Sequence, residues 1–143
     1  MNSIQIKKEF NAPLNDVFEL LAKHETYNII FAPVRLQRIK ESGDPERPDG
    51  INSVRRVSLN KVKLLQEQIT LLEPQQRIEY QIIHNSLVKH HLGRIDFEAI
   101  DADRTLVTYT IELQLRVPFM SKLMLAQLKS AIKLGFSKLA KTI

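Results

Sequence analysis

No cysteine occurs in the chain, so disulfides and thiolate metal sites are excluded and an oxidising compartment is not required. No uninterrupted apolar run approaches the ~20 residues that cross a bilayer, and the opening stretch MNSIQIKKEF lacks the apolar core of a secretory signal. The cytoplasm is therefore the default expectation. Stable membrane insertion is not expected, although transient contact with a membrane surface remains open. Also missing are a nucleophile elbow, a glycine-rich phosphate loop, paired catalytic carboxylates and an H-x-x-x-H helix pair. No cofactor or metal is implied, and no residue is assigned a catalytic role. There are no internal repeats or low-complexity segments.

What is present is 143 residues with 43% hydrophobic and 26% charged content, the size and balance of one domain spanning 1–143 around one core. The net charge of +5 would suit an anionic partner. However, Lys and Arg are scattered from Lys7 and Lys8 through Arg35, Arg38, Arg55, Lys61 and Lys63 to Lys89 and Arg94, with acids between them. No basic block interleaves with aromatics for base stacking, so a nucleic-acid partner is not expected.

Along the chain the hydrophobic period changes three times. SIQIKKEF places Ile4, Ile6 and Phe10 at the period of a half-buried strand. In NAPLNDVFELL, Pro13 suits a first helical position, Asp16 suits the positive first turn, and Leu14, Val17, Phe18 and Leu21 share one face. A short second helix is expected over Tyr27 to Phe31. Extended structure resumes in VRLQRIKE and runs into the surface loop SGDPERPDG. Strands are then expected over 52–59, 62–72, 76–84, 88–100 and 104–117, joined by short polar turns that suit antiparallel neighbours. The end of the chain returns to helical spacing, with Met120, Met124, Leu128, Ala131, Ile132, Gly135 and Leu139 on one arc and Lys122, Lys129 and Lys133 opposite. The order predicts an α+β domain: a curved seven-stranded antiparallel sheet, two short helices after strand 1, and a long C-terminal helix across the concave face.

Taken together, NAPLNDVFELL, PDGINSVRRV, EQITLLEPQQRIEYQI, GRIDFEAIDADRTLVTYTIEL and the amphipathic end are similar to the START-like, or SRPBCC, superfamily of helix-grip domains. Within it they resemble the bacterial polyketide cyclase/dehydrase and lipid-transport-like proteins. The resemblance covers the whole chain and implies an apolar cavity between sheet and last helix. One departure is that the second helix offers Tyr27 and Phe31 where relatives often carry a tryptophan. The family shares no universal catalytic motif, so a ligand-binding fold is implied more firmly than a reaction.

Three of the four histidines fall between 84 and 91. Strand alternation puts His91, Gly93, Ile95 and Phe97 on the inner face and His90 on the outer one, so the two adjacent histidines cannot grip one metal. His84 is in phase with Ile78, Tyr80 and Ile82, roughly 7–13 Å along the ladder from His91 at ~3.3 Å per residue. His91 is read either as a partly buried, hydrogen-bonded histidine or as a ligand contact. The same parity turns Glu67 inward with Leu65, Ile69 and Leu71. An isolated buried carboxylate is too costly, so Glu67 needs a wet cavity mouth or a cation, and Arg56 is the candidate partner. The facing of that strand is ambiguous, because Val54 argues one parity and Val57 and Leu59 the other. Arg56, Glu67 and His91 would then either orient a ligand's carboxyl or hydroxyl group or form a buried ion pair.

The apolar wall is expected from Tyr109, Ile111 and Leu113 on the last strand, Ile95 and Phe97 beside it, and Met120, Met124, Leu128, Ile132 and Phe136 on the helix. Gly135, which costs ~1 kcal/mol relative to Ala, marks either a close approach of the helix to the sheet or room for a guest. The adaptable methionines suit guests of varied shape. These side chains would otherwise fill a solid core.

The leading expectation is binding or carriage of a hydrophobic small molecule (lipid, quinone, sterol-like or polyketide-like), with the last helix and the 42–50 loop gating access. The alternative is a cyclase or aromatase acting on a polyketide-like substrate, with His91 or His84 and Glu67 or Tyr109 moving protons. A third reading, an assembly partner, has only the basic helix face of Lys122, Lys129 and Lys133 to rest on.

Overall fold

The computed structural model of the protein describes residues 2–143. A strand β1 (Ser3–Phe10) is followed by α1 (Leu14–Leu21), a 3-10 turn (His24–Thr26) and α2 (Tyr27–Ile30). Six strands come next: β2 (Arg35–Lys40), β3 (Val54–Leu59), β4 (Val62–Glu73), β5 (Arg77–Ile83), β6 (Val88–Asp101) and β7 (Arg104–Leu115). The chain closes with α3 (Met120–Ala140). The seven strands form one sheet in the order β1-β7-β6-β5-β4-β3-β2, every pair antiparallel.

Local chemistry explains the boundaries. Pro13 is the extended residue just before α1 rather than its first helical residue; its carbonyl accepts the Val17 amide, and Asp16 sits in the first turn where the helix dipole favours it. Asn60 and Lys61 both have positive φ, the conformation that a two-residue hairpin needs between β3 and β4. Register shifts interrupt β3/β4, β4/β5 and both ends of β6/β7. Such bulges bend strands and let a sheet this wide curl around a helix.

One of these bulges corrects the expected facing of β4. Ile69 stands opposite Tyr80, but past Thr70 it is Leu72 that stands opposite Ile78, while Leu71 faces Glu79. Leu72, not Leu71, therefore joins the core.

The core lies between the sheet and the two helical layers. Phe136 of α3 meets Phe10 and Tyr109 edge-on or tilted at 5.6 and 5.9 Å, and Phe18 of α1 meets Phe97 at 5.0 Å. Ile95, Val107, Ile111 and Ile132 are enclosed between them. Gly135 resolves into close approach, though to a different element than the sheet: a Cβ there would lie 2.2 Å from the Ile30 carbonyl oxygen, so glycine lets α3 rest on the backbone of α2.

Candidate functional site

Alternation along β3 turns Ser53, Arg55 and Val57 toward the concave side, because Arg55 stands opposite Glu67 and Val57 opposite Leu65 in the β3/β4 ladder. The inward cation is thus Arg55, and the expectation for Arg56 is corrected: Arg56 faces outward opposite Gln66 and is half-exposed. A parity slip at a strand with apolar residues in both phases moved the choice by one residue. Arg55 is 2% exposed and its Nε donates to Glu67 Oε1 at 2.9 Å. Its guanidinium carbon lies 4.6 Å from the ring centres of both Tyr27 and Tyr80, a cation–π position that suits a weakly hydrated guanidinium better than a strongly hydrated ammonium. Burial pulls the guanidinium toward losing its proton, but the Glu67 carboxylate and the three surrounding tyrosines together outweigh this, and Arg55 stays charged.

Three tyrosines close around this cation. The Tyr27 hydroxyl donates to the Leu21 carbonyl at 2.7 Å, and burial pushes its pKa up to about 12. The Tyr80 and Tyr109 hydroxyls bond each other, both held above the usual phenol range by burial. Tyr80 can lie there because its ring covers Gly93, where a Cβ would come within 2.1 Å of the ring. The phenols are therefore neutral at any physiological pH.

His24, at the base of the cluster, is a member that sequence reasoning missed. Its Nδ1 lies 3.4 Å from Arg55 Nη1, its Nε2 lies 3.0 Å from Ser53 Oγ, and its backbone amide donates to Asp49 Oδ2 at 2.8 Å. A guanidinium only donates, so Nδ1 accepts and the ring proton sits on Nε2. Burial, reinforced by Arg55, lowers the pKa to about 4. The neighbouring sequence AKHETYN has no periodic partner for His24; the only available signal was its position at the entrance to the aromatic second helix.

His91 faces inward as expected, and the structure shows what it does. The β5/β6 ladder ends at Tyr80 opposite Gly93; beyond that point the Ile82 amide donates to His91 Nδ1 at 3.0 Å in place of a strand partner. The ring proton is therefore on Nε2. Burial first, then Arg55 and His90, lower its pKa to about 4. Among the described residues every enclosed side-chain nitrogen and oxygen has a partner. Among the described residues Nε2 of His91 has no protein acceptor, which places this N–H in contact with accessible space. His90 points to the other face and pairs with Glu112 at 2.9 Å, whereas His84 is exposed in the turn after β5 with positive φ, out of the phase expected for it.

Of the other expected wall residues, Phe18, Tyr27, Ile69, Tyr80, Ile95, Phe97, Tyr109, Ile111, Leu113, Ile132, Gly135 and Phe136 are buried. Together with Arg55, several of them fill the centre of the grip. Phe31, Val57, Leu65, Ile82 and Leu128 are only half-buried; Val57 stands opposite Leu65, and Ile82 opposite Glu67, on the sheet face that Arg55 shares. Met120 and Met124 do not line the interior: they are 42% and 37% exposed, because the inner arc of α3 runs through Ser121, Leu125 and Ile132 instead. The 42–50 loop is tied to the far side, through a two-pronged Arg47–Glu19 pair and through Asp49 to Arg38 and His24. It borders a polar open cleft of about 1080 Å³ between α1, the 3-10 turn and β2, not the α3 side.

A curved antiparallel sheet gripping a C-terminal helix is the helix-grip fold. The chain belongs to the polyketide cyclase / dehydrase and lipid transport family, whose profile matches residues 1–143. Among solved structures, it is similar to a START superfamily protein from Mycobacterium smegmatis (12% identity over 99% of this chain and 96% of that one, TM-score 0.74). It is also similar to the Zhui aromatase/cyclase of a Streptomyces species (18%, 98% and 89%, TM-score 0.69). A third is norcoclaurine synthase from Thalictrum flavum, solved with dopamine and hydroxybenzaldehyde (14%, 99% and 87%, TM-score 0.73). At these identities the likeness is one of fold. No curated protein matches the sequence.

Proposed function

We propose that the protein binds a hydrophobic small molecule at the open end of the grip, between β3 to β5, α2 and the first half of α3. The observation that carries this reading is the His91 N–H, which has no protein acceptor among the described residues and lies beside a rim of half-buried Ile82, Leu65 and Val57 on the same face of the sheet. Apolar surface entering that rim gains ~25 cal/mol per Å² before ordering costs, and the N–H orients an acceptor group on the guest. A neutral donor favours a carbonyl or hydroxyl oxygen over a cation. Native mass spectrometry of the purified protein should reveal a non-covalently bound mass. Calorimetry with 2-naphthol should give binding with a negative heat-capacity change, weakened by Leu128→Arg. Absence of both a carried mass and naphthol binding sinks the reading.

A second reading, a cyclase acting on a polyketide-like substrate, is favoured by the Glu67–Arg55–Tyr80–Tyr109 chain of polar groups beneath the rim. In the tautomer that the Ile82 amide imposes, the free nitrogen of His91 donates rather than abstracts a proton. His91→Ala separates the two readings: a catalyst loses turnover with affinity retained, a carrier changes in affinity alone.

A further inference from the structure

The whole-chain charge hides a division. Of 21 Lys and Arg and 16 Asp and Glu, the stretch after Glu112 holds Arg116, Lys122, Lys129, Lys133, Lys138 and Lys141 and no acid at all. The rest of the chain is close to balance. The even scatter of cations therefore stops where β7 ends, and the net positive charge belongs to α3 and the loop that leads into it.

The same segment carries the most conspicuous exposed apolar side chains. Phe119, just before α3, is 88% exposed and sits at φ 68°, a left-handed conformation that a bulky side chain rarely adopts. Leu123 is 61% exposed, and Val117, Met120 and Met124 are exposed beside it. Arg116 donates from its backbone to the Leu87 carbonyl and from its side chain to the Ser86 carbonyl, each at 2.9 Å. These bonds hold exposed Leu87 next to the same loop. At ~100° per residue, Met120, Leu123, Met124 and Leu134 occupy one margin of the solvent-facing arc of α3, and Lys122, Lys129 and Lys133 the other. A monomer in water gains nothing from this grouping, and apolar patches framed by cations mark interaction surfaces.

We infer that the first half of α3 and the 116–119 loop dock on an anionic phospholipid surface. Leucine, methionine and phenylalanine side chains enter the headgroup boundary while lysines on the adjoining margin meet lipid phosphates, the arrangement of an interfacial helix. The helix lies on the surface and does not cross it, since no helix among the described residues is long and apolar enough to span a membrane. An acidic protein would match the lysines but leave Phe119 and Leu123 unexplained, and a nucleic acid would do the same.

The test is co-sedimentation of the intact protein with vesicles of phosphatidylcholine alone and of phosphatidylcholine mixed with phosphatidylglycerol. Binding to the mixed vesicles and not to the neutral ones is expected, weakening as salt is raised. Phe119→Ser combined with Leu123→Ser should lower partitioning at least about tenfold, and Lys122→Glu combined with Lys133→Glu by about the same factor. All four positions are exposed, so thermal melts of the variants should overlay the parent. Failure to bind mixed vesicles overturns the inference, as does unchanged binding by the serine variant. It is equally overturned if sedimentation velocity shows a dimer that the serine variant abolishes, or if the protein prefers a single-stranded RNA oligomer to the vesicles.

Discussion

From Ile132 to Leu139 the last helix is sealed against β1, β7 and α2, whereas between Met120 and Met124 the same helix buries only Ser121. Both halves carry apolar residues at helical spacing. The difference comes from what stands opposite. The C-terminal half has Phe10, Tyr109 and the α2 backbone to pack on, but the N-terminal half reaches beyond the helical layer to the end of β7, where the Ser121 hydroxyl accepts the Leu115 amide. A stripe of apolar side chains reports the face a helix would bury. It does not report whether a surface exists to bury it.

Breaking the sealed half should be the most damaging change. Phe136→Ala removes a fully enclosed ring in contact with two others and is expected to destabilise by about 4 kcal/mol, read from the urea midpoint. If the loss is below about 1 kcal/mol, that half is not the anchor.

Next comes the buried ion pair of β3 and β4. Glu67→Ala leaves the Arg55 charge buried without its carboxylate, an expected loss of about 3 kcal/mol; Arg55→Met with Glu67→Leu should recover much of it. A double variant as unstable as the single one would mean that the ion pair is not what the site depends on.

The open end should announce itself through pH. His91 titrates at about 4 in the folded protein against 6.5 unfolded, so the unfolded chain binds more protons between those values. Stability is complete above the unfolded pKa and falls as pH drops toward the folded one. Between about pH 7 and about pH 5 the His91 share is about 2 kcal/mol, and it should vanish from the acid slope of His91→Gln. His24, lowered to about 4 as well, contributes in the same direction and serves as the internal control. Smallest of all, Leu123→Ser in the exposed half should shift folding stability by less than about 0.5 kcal/mol, whatever it does to surface binding.

Much of the fold was legible because period is local information. The alternation in β1, β6 and β7 and the run of polar turns gave strand boundaries within a few residues of those observed. His91, Glu67, Tyr80 and Tyr109 all turned inward as the parity of their strands required. The errors arose where parity is interrupted or borrowed. Arg56 was chosen over Arg55 on a strand whose apolar residues occupy both phases, and Leu71 over Leu72 across a bulge that no local pattern marks. His24 was invisible because its partners, Ser53 and Arg55, lie about thirty positions away and become neighbours only when β3 enters the sheet.

By itself the sequence determined the class of domain, the order of its elements and the inner face of most strands, since side-chain direction follows from 3.6- and 2-residue repeats alone. Only the tertiary structure decided which cation is buried, which nitrogen of His91 carries the proton, and that the two methionines of α3 face out. Each of those depends on atoms brought together from separate strands and helices, and no repeat within one segment encodes them.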